Sequence, residues 1–112
     1  MNLLRIENYE TEAAVTAIYP NRGNNLIYPV LGLVGEAGEI ANKVKKIQRD
    51  HASVMTEEMR NQLGEELGDV FWYLAACAYE LDFKLADLAE ANLQKLAQRK
   101  QRGTLHGSGD NR

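Results

Sequence analysis

The chain has 112 residues, of which 45% are apolar and 26% are charged, and its formal net charge is −3. These proportions are typical of a single folded domain and argue against disorder. The negative charge argues against a nucleic-acid coat and against binding to anionic membranes, so neither is expected as a partner. The amino terminus lacks the features of a signal peptide, and no window is long and apolar enough to span a membrane.

The single cysteine, Cys77, lies in an apolar run, where a thiol behaves as a small hydrophobe. A protein without a disulfide framework fits a reducing compartment. We therefore expect a cytoplasmic protein.

Helical periodicity dominates the chain, and no alternating strand pattern occurs, so the sequence predicts an all-α fold. Pro29 suits the first turn of a helix, Thr56 suits an N-cap, and Gly103 is placed to end the last helix. The predicted helices cover residues 3–18, 28–49, 56–81 and 85–102, with turn residues at 19–25 and a loop at 50–55.

One domain is predicted over residues 1–103, followed by a Gly-rich tail at residues 104–112. The second and third predicted helices carry apolar arcs that are wider than one chain of this length can cover. A four-helix bundle that is completed by homodimerisation satisfies these arcs.

Two pairs of acidic residues share one spacing: Glu36 and Glu39 form E-x-x-E, and Glu66 and Asp69 form E-x-x-D. Residues three apart lie on the same side of a helix, so two facing helices would gather these carboxylates. Such a cluster repels itself unless a cation lies within it, and Mg2+, or Mn2+ in its place, suits oxygen ligands. The alternative is a pair of solvated helix faces, in which Glu39 simply pairs with Lys43.

Glycines interrupt the predicted helices beside both acidic pairs, and each costs about 1 kcal/mol relative to alanine. That cost indicates the close approach of a neighbouring helix or a ligand, which favours the metal site over solvated faces. The glycines are Gly35, Gly38, Gly64 and Gly68.

Cationic residues follow the acidic pairs. Lys43 and Lys46 lie on or near the acidic side of their helix, where they can meet phosphate oxygens. The last helix carries a stripe that overlaps its apolar arc and suits a metal-bound polyphosphate. A basic helix end is the alternative for this stripe. Its members are Asn92, Lys95, Arg99 and Arg102.

Trp72 and Tyr73 follow Asp69 closely. Aromatic residues at such a position most often belong to a core or a subunit interface, and stacking on a base is the second interpretation. His51 and His106 lack ligand spacing, so we assign them no role. No Glu-x-x-His pair supports a ferritin-like di-iron protein.

Three runs carry a resemblance to a known family: LGLVGEAGEIANKVKK from Leu31, EELGDV from Glu65 and NLQKLAQR from Asn92. They resemble the MazG-like all-α nucleoside triphosphate pyrophosphohydrolases over nearly the whole chain. The resemblance implies Mg2+-dependent hydrolysis of a (deoxy)nucleoside triphosphate to a monophosphate and pyrophosphate, by a dimer or dimer of dimers, in a house-cleaning role. It also implies that Asn92 and Lys95 contact the nucleotide and that four acids hold the metal: Glu36, Glu39, Glu66 and Asp69.

One position departs from the pattern of some relatives, which carry an acid before the first motif glutamate to activate water. Here that position is Gly35. The general base would then be Glu65, or a motif carboxylate that acts through a bound water. The interpretation from another class is a non-catalytic helical dimer that binds nucleotide, metal or a partner without turnover.

Overall fold

The structure is a computed structural model that describes residues 3–104, 106, 107 and 109. Within these residues it contains only helices and no strands, which confirms the all-α prediction. The rest of the predicted tail lies outside the described part. No described helix combines the length and the apolar character needed to cross a membrane. The helices are Ile6–Val15 (α1), Ile27–Asp50 (α2), Glu57–Glu80 (α3) and Leu85–Arg102 (α4).

Local signals fix the start of α3 and the end of α4. Thr56 is extended, and its hydroxyl accepts a hydrogen bond from the Met59 backbone N–H at 3.2 Å, which satisfies one free donor of the first turn. Gly103 ends α4 with φ at 73°, a left-handed conformation that glycine adopts without a side-chain clash. Both ends lie where the sequence predicts them.

The first helix is shorter than predicted, because it begins at Ile6 and ends at Val15 instead of covering residues 3–18. The Thr16 hydroxyl donates to the Ala13 carbonyl at 2.7 Å and accepts from Trp72 Nε1 at 2.8 Å. A hydroxyl that bonds back to the helix while it holds an indole competes with continued helical pairing. The helix therefore stops where its end is tied to α3.

The two long helices, α2 and α3, pack as an antiparallel hairpin. At one end Gly32 lies so close to Tyr73 that a Cβ at residue 32 would overlap the tyrosine ring. Further along, Lys43 Nζ lies 3.9 Å from Glu66 Oε1. This register places the two acidic motifs opposite each other.

The two shorter helices, α1 and α4, pack on each other and on α3, but not on α2. Glu10 ties them together, since its Oε2 accepts the backbone N–H of Leu85 at 2.6 Å. The small core beneath them consists of Ala75, Ala78 and Leu85, with Ile6, Tyr9 and Phe71 packed around it.

Large apolar side chains of α2 and α3 remain exposed on the hairpin. The radius of gyration is 17.1 Å, whereas a compact chain of about 100 residues has about 13 Å. A single chain therefore leaves part of its apolar surface uncovered. The exposed side chains include Ile27, Leu31 and Val34 on α2, and Leu67 and Leu74 on α3.

Candidate metal centre

Three carboxylates meet across the α2–α3 hairpin. Glu36 of α2 and Glu66 and Asp69 of α3 each offer one oxygen, and these oxygens all lie within 4.8 Å of one another. Glu36 and Glu66 are half-buried, while Asp69 is exposed. The antiparallel register gathers them as the sequence predicts, and we call these three residues the carboxylate cluster.

The acidic neighbours of Glu36 affect the pKa of its carboxyl. The pKa of the Glu36 carboxyl is raised, chiefly by a hydrogen bond with Glu66. Partial burial and the negative charges of Glu66, Asp69 and Glu39 raise it further. The Glu36 carboxyl therefore loses its proton less readily than a free glutamate does. A divalent cation would offset the negative charges of the cluster, and an all-oxygen donor set suits a hard ion such as Mg2+. The residues present therefore fit a metal.

Two acids from the sequence prediction lie outside the cluster. Glu39 is exposed on α2, although its charge still contributes to the raised pKa of Glu36. Glu65, the candidate general base, is exposed on α3. Three of the four predicted ligands are therefore brought together within one chain, and Glu39 stands at their margin.

Cations lie beside the cluster on the side of the α2–α3 turn. Lys43 approaches Glu66, so this lysine pairs across the hairpin rather than along α2 with Glu39. Lys43 and Lys46 line a cavity of about 210 Å³ together with His51, a residue that has no role in the sequence prediction. We call this the turn cavity. Its remaining walls come from Ile47, Met59, Gln62 and Leu63.

The predicted stripe on α4 is not part of this arrangement. Asn92 and Lys95 are exposed, whereas Arg99 is only 4% exposed. Because α4 does not pack on α2, the structure does not bring these residues to the first acidic motif within one chain.

The other side of the cluster opens into a cavity of about 310 Å³, lined by Thr16, Glu36, Asp69, Trp72 and Tyr73. Burial raises the pKa of the Tyr73 hydroxyl, and the nearby Tyr28, Glu36 and Asp69 raise it further. The sequence gives no sign that Thr16 belongs here, because only the tertiary packing of α1 on α3 places it beside Trp72.

The MazG nucleotide pyrophosphohydrolase domain matches residues 28–104 of the chain. This match spans both acidic motifs and the whole of α4. The chain belongs to the MazG nucleotide pyrophosphohydrolase family. The resemblance seen in the sequence is thereby confirmed, and in this MazG domain the carboxylate cluster lies inside the matched segment.

A phage protein is similar to the MazG chain over nearly the full length of both. The Gene 37 protein of Mycobacterium phage L5 is 52% identical over 114 residues, which cover 97% of this chain and 100% of that protein. Its name states no activity. No solved structure matches the MazG chain with significance.

Proposed function

We propose that this MazG domain hydrolyses nucleoside or deoxynucleoside triphosphates between the α and β phosphates, releasing a monophosphate and pyrophosphate. The observation that carries the proposal is the carboxylate cluster, whose oxygens lie within 4.8 Å of one another inside a matched nucleotide pyrophosphohydrolase domain. The raised pKa of Glu36 supports it, because the shift reflects a crowding of carboxylates whose negative charge a cation would offset.

Glu36, Glu66 and Asp69 would hold Mg2+, or Mn2+ in its place, and Glu39 would join them from the margin of the cluster. The bound ion would neutralise phosphate charge and lower the pKa of the attacking water. Because the proposed ligands come from both α2 and α3, metal binding would depend on how these two helices are aligned along each other.

In the proposed reaction, water attacks the α-phosphorus, a new P–O bond forms, and the α–β anhydride bond breaks as pyrophosphate leaves. The proton of the water passes to Glu65 or to a cluster carboxylate through a second water. Lys43 and Lys46 lie on the turn side of the cluster, where they balance the charge of the leaving phosphates. Asn92, Lys95 and Arg99 remain proposed contacts of the nucleotide, presented by α4 of either copy.

We propose that the active protein is a homodimer or a dimer of dimers in which the hairpin faces of two copies pack together. The exposed apolar side chains of α2 and α3 support this assembly. Gly35, Gly38, Gly64 and Gly68 are also exposed, and nothing in the chain lies within 4 Å of a Cβ built on any of them. The close approach that these glycines predict would then come from the second copy.

We also propose that the protein acts in the cytoplasm, in a house-cleaning role for the nucleotide pool. Burial raises the pKa of the Cys77 thiol, which disfavours the reactive thiolate. The substrate would be a free nucleotide, with neither nucleic acid nor a membrane as partner.

Removing one ligand tests the metal centre. Glu66→Gln removes a charge from the cluster, whereas Glu58→Gln removes the same charge from an exposed position on the same helix. We expect Glu66→Gln to lower kcat on the order of 100-fold or more and to weaken Mn2+ binding. Glu58→Gln should match the wild type in both measurements. Equal activity and equal Mn2+ affinity in the two variants would contradict the assignment.

A further inference from the structure

The backbone of the α2–α3 turn adopts a conformation that is unfavourable for its residue types. Ala52 and Ser53 have φ of 51° and 63°, in the left-handed region that residues other than glycine rarely adopt. The backbone N–H groups of His51 and Ser53 both donate to the Ile47 carbonyl, at 3.0 and 3.2 Å. Such conformations persist where the surrounding structure holds them, and they concentrate at functional sites. Here the turn folds back on the end of α2, with His51 at the wall of the turn cavity.

The turn cavity presents cations and hydrogen-bond donors on its α2 side. Lys43 and Lys46 are three residues apart on one helix, so they share a side of it, and both line the cavity. The His51 imidazole adds an N–H donor. None of the lining residues that the structure describes carries a carboxylate, so the cavity suits phosphate oxygens. The α3 wall is uncharged and consists of Met59, Gln62 and Leu63.

Lys43 takes part in two sites. Its side chain lines the turn cavity, and its Nζ lies 3.9 Å from Glu66 Oε1 in the carboxylate cluster. The Lys43 side chain is 35% exposed, so it is not locked in this ion pair. A divalent cation on Glu66 would neutralise that carboxylate and repel the lysine ammonium group. Lys43 would then turn to an anion in the turn cavity.

We propose that the turn cavity binds inorganic pyrophosphate without a metal ion, and that Lys43 couples this site to the carboxylate cluster. Two linked phosphoryl groups can meet Lys43 and Lys46 together, which favours pyrophosphate over orthophosphate. The inference rests on the proposed function, because pyrophosphate is the proposed product. Since coupling is reciprocal, a cation at the cluster strengthens pyrophosphate binding, and pyrophosphate strengthens cation binding. Pyrophosphate therefore leaves most readily after the metal has left.

The histidine side chains allow a direct test by NMR, because the chain has only two, His51 and His106. We would titrate the tag-free wild-type protein with pyrophosphate in EDTA at constant pH and follow the imidazole Cε1–H signals. We expect a saturable shift of the His51 signal and none of the His106 signal, with pyrophosphate bound about threefold or more tighter than orthophosphate. A His51 signal that does not move, or equal affinity for the two anions, would overturn the inference.

A matched pair of substitutions locates the anion. Lys46→Gln removes a charge from the wall of the turn cavity, whereas Lys45→Gln removes the same charge from the neighbouring exposed position, which does not line it. At physiological ionic strength, where charges beyond about 8 Å are screened, we expect Lys46→Gln to weaken pyrophosphate binding by about fivefold. Lys45→Gln should stay close to the wild type. Equal affinities in the two variants would overturn the site.

A double-mutant cycle tests the coupling without any metal. Glu66→Gln removes the carboxylate that pairs with Lys43, so we expect pyrophosphate to bind the metal-free variant about threefold more tightly than the wild type. In a Lys43→Gln background most of this gain should disappear, because the lysine that carries it is absent. The same gain in both backgrounds would contradict the role of Lys43.

These titrations need neither metal nor turnover, so the inference and the proposed reaction can fail separately. Pyrophosphate release from triphosphates, by a protein whose His51 signal ignores free pyrophosphate, would overturn the site in the turn cavity and leave the reaction standing. A saturable shift of His51 that Lys46→Gln weakens, in a protein without turnover, would support the site and contradict the reaction.

Discussion

The protonation of Glu36, a proposed metal ligand, also affects the folding stability of the metal-free protein. Its folded-state pKa is raised, chiefly by the hydrogen bond with Glu66, so the metal-free folded protein binds this proton more tightly than the unfolded chain does. The stability of the metal-free protein should therefore fall as the pH rises through the folded-state pKa of Glu36. The carboxylate cluster is thus a source of instability in the metal-free protein.

Glu36→Gln should separate these two effects. The substitution removes one of the repelling charges, so we expect a higher Tm than the wild type at neutral pH in EDTA, together with a loss of pyrophosphate release. The gain in Tm should shrink as the pH falls and Glu36 of the wild type becomes protonated. Glu12→Gln, an exposed acid on α1, serves as the control. A Tm of Glu36→Gln at or below that of the control at neutral pH would contradict the electrostatic account.

Glu80 shows the opposite shift. Partial burial alone would raise the pKa of Glu80, but hydrogen bonds from the Tyr19 hydroxyl, at 2.6 Å, and from the backbone of Gly23 and Asn25 lower it overall. A lowered folded-state pKa contributes stability above the unfolded-state pKa, and that contribution is lost as the pH falls through the folded-state value. This carboxylate therefore holds the α1–α2 loop on α3.

We expect Glu80→Gln to lower Tm at neutral pH and to match the wild type more closely in acid, where Glu80 is itself protonated. Thermal unfolding across a pH series measures the difference. A gap in Tm that stays constant from neutral to acidic pH would show that the charge of Glu80 is not what holds the loop.

At the scale of elements, the hairpin contact at Gly32 positions the site. A Cβ at this residue would overlap the Tyr73 ring, which borders the carboxylate cluster. We expect Gly32→Ala to lower both Tm and kcat, because the ring that borders the carboxylates must move. In a Tyr73→Ala background the same substitution should cost much less Tm, since the obstructing ring is gone. Additive Tm losses in the double variant would show that the overlap is not responsible.

Local chemistry explains which elements the sequence could predict. The Thr56 cap and the Gly103 end depend on neighbours within one turn, so residue type alone indicates them. The end of α1 depends on a hydrogen bond between Thr16 and Trp72, which are 56 residues apart, and periodicity contains no information about it. The predicted extension to Ile18 fails for that reason.

Some features of the candidate site can also be predicted from local spacing, and others depend on tertiary packing. Spacing alone predicts that each acidic pair shares one side of a helix, which brings Glu36, Glu66 and Asp69 together. The register of the hairpin then decides that Glu36 faces the partner helix and Glu39 does not. The placement of His51 beside Lys46 depends on the path of the α2–α3 turn, and the sequence offers no spacing that indicates it.

At the scale of the whole molecule, uncovered apolar surface predicts self-association. Val34 of the hairpin face and Val54 of the α2–α3 turn are the same residue type with nearly equal exposure, 65% and 64%. We expect Val34→Glu to shift the protein toward monomers in sedimentation velocity and Val54→Glu to leave the assembly intact. Intact assembly in both variants, or a monomeric wild type, would contradict the proposed interface.

The reaction products show which bond of the triphosphate is broken. The wild-type protein would be incubated with each of the standard nucleoside and deoxynucleoside triphosphates, in Mg2+ and in EDTA, and the products would be identified by phosphorus NMR. We expect monophosphate and pyrophosphate in equal amounts, only when Mg2+ is present. Diphosphate with orthophosphate, or no product from any nucleotide, would contradict it.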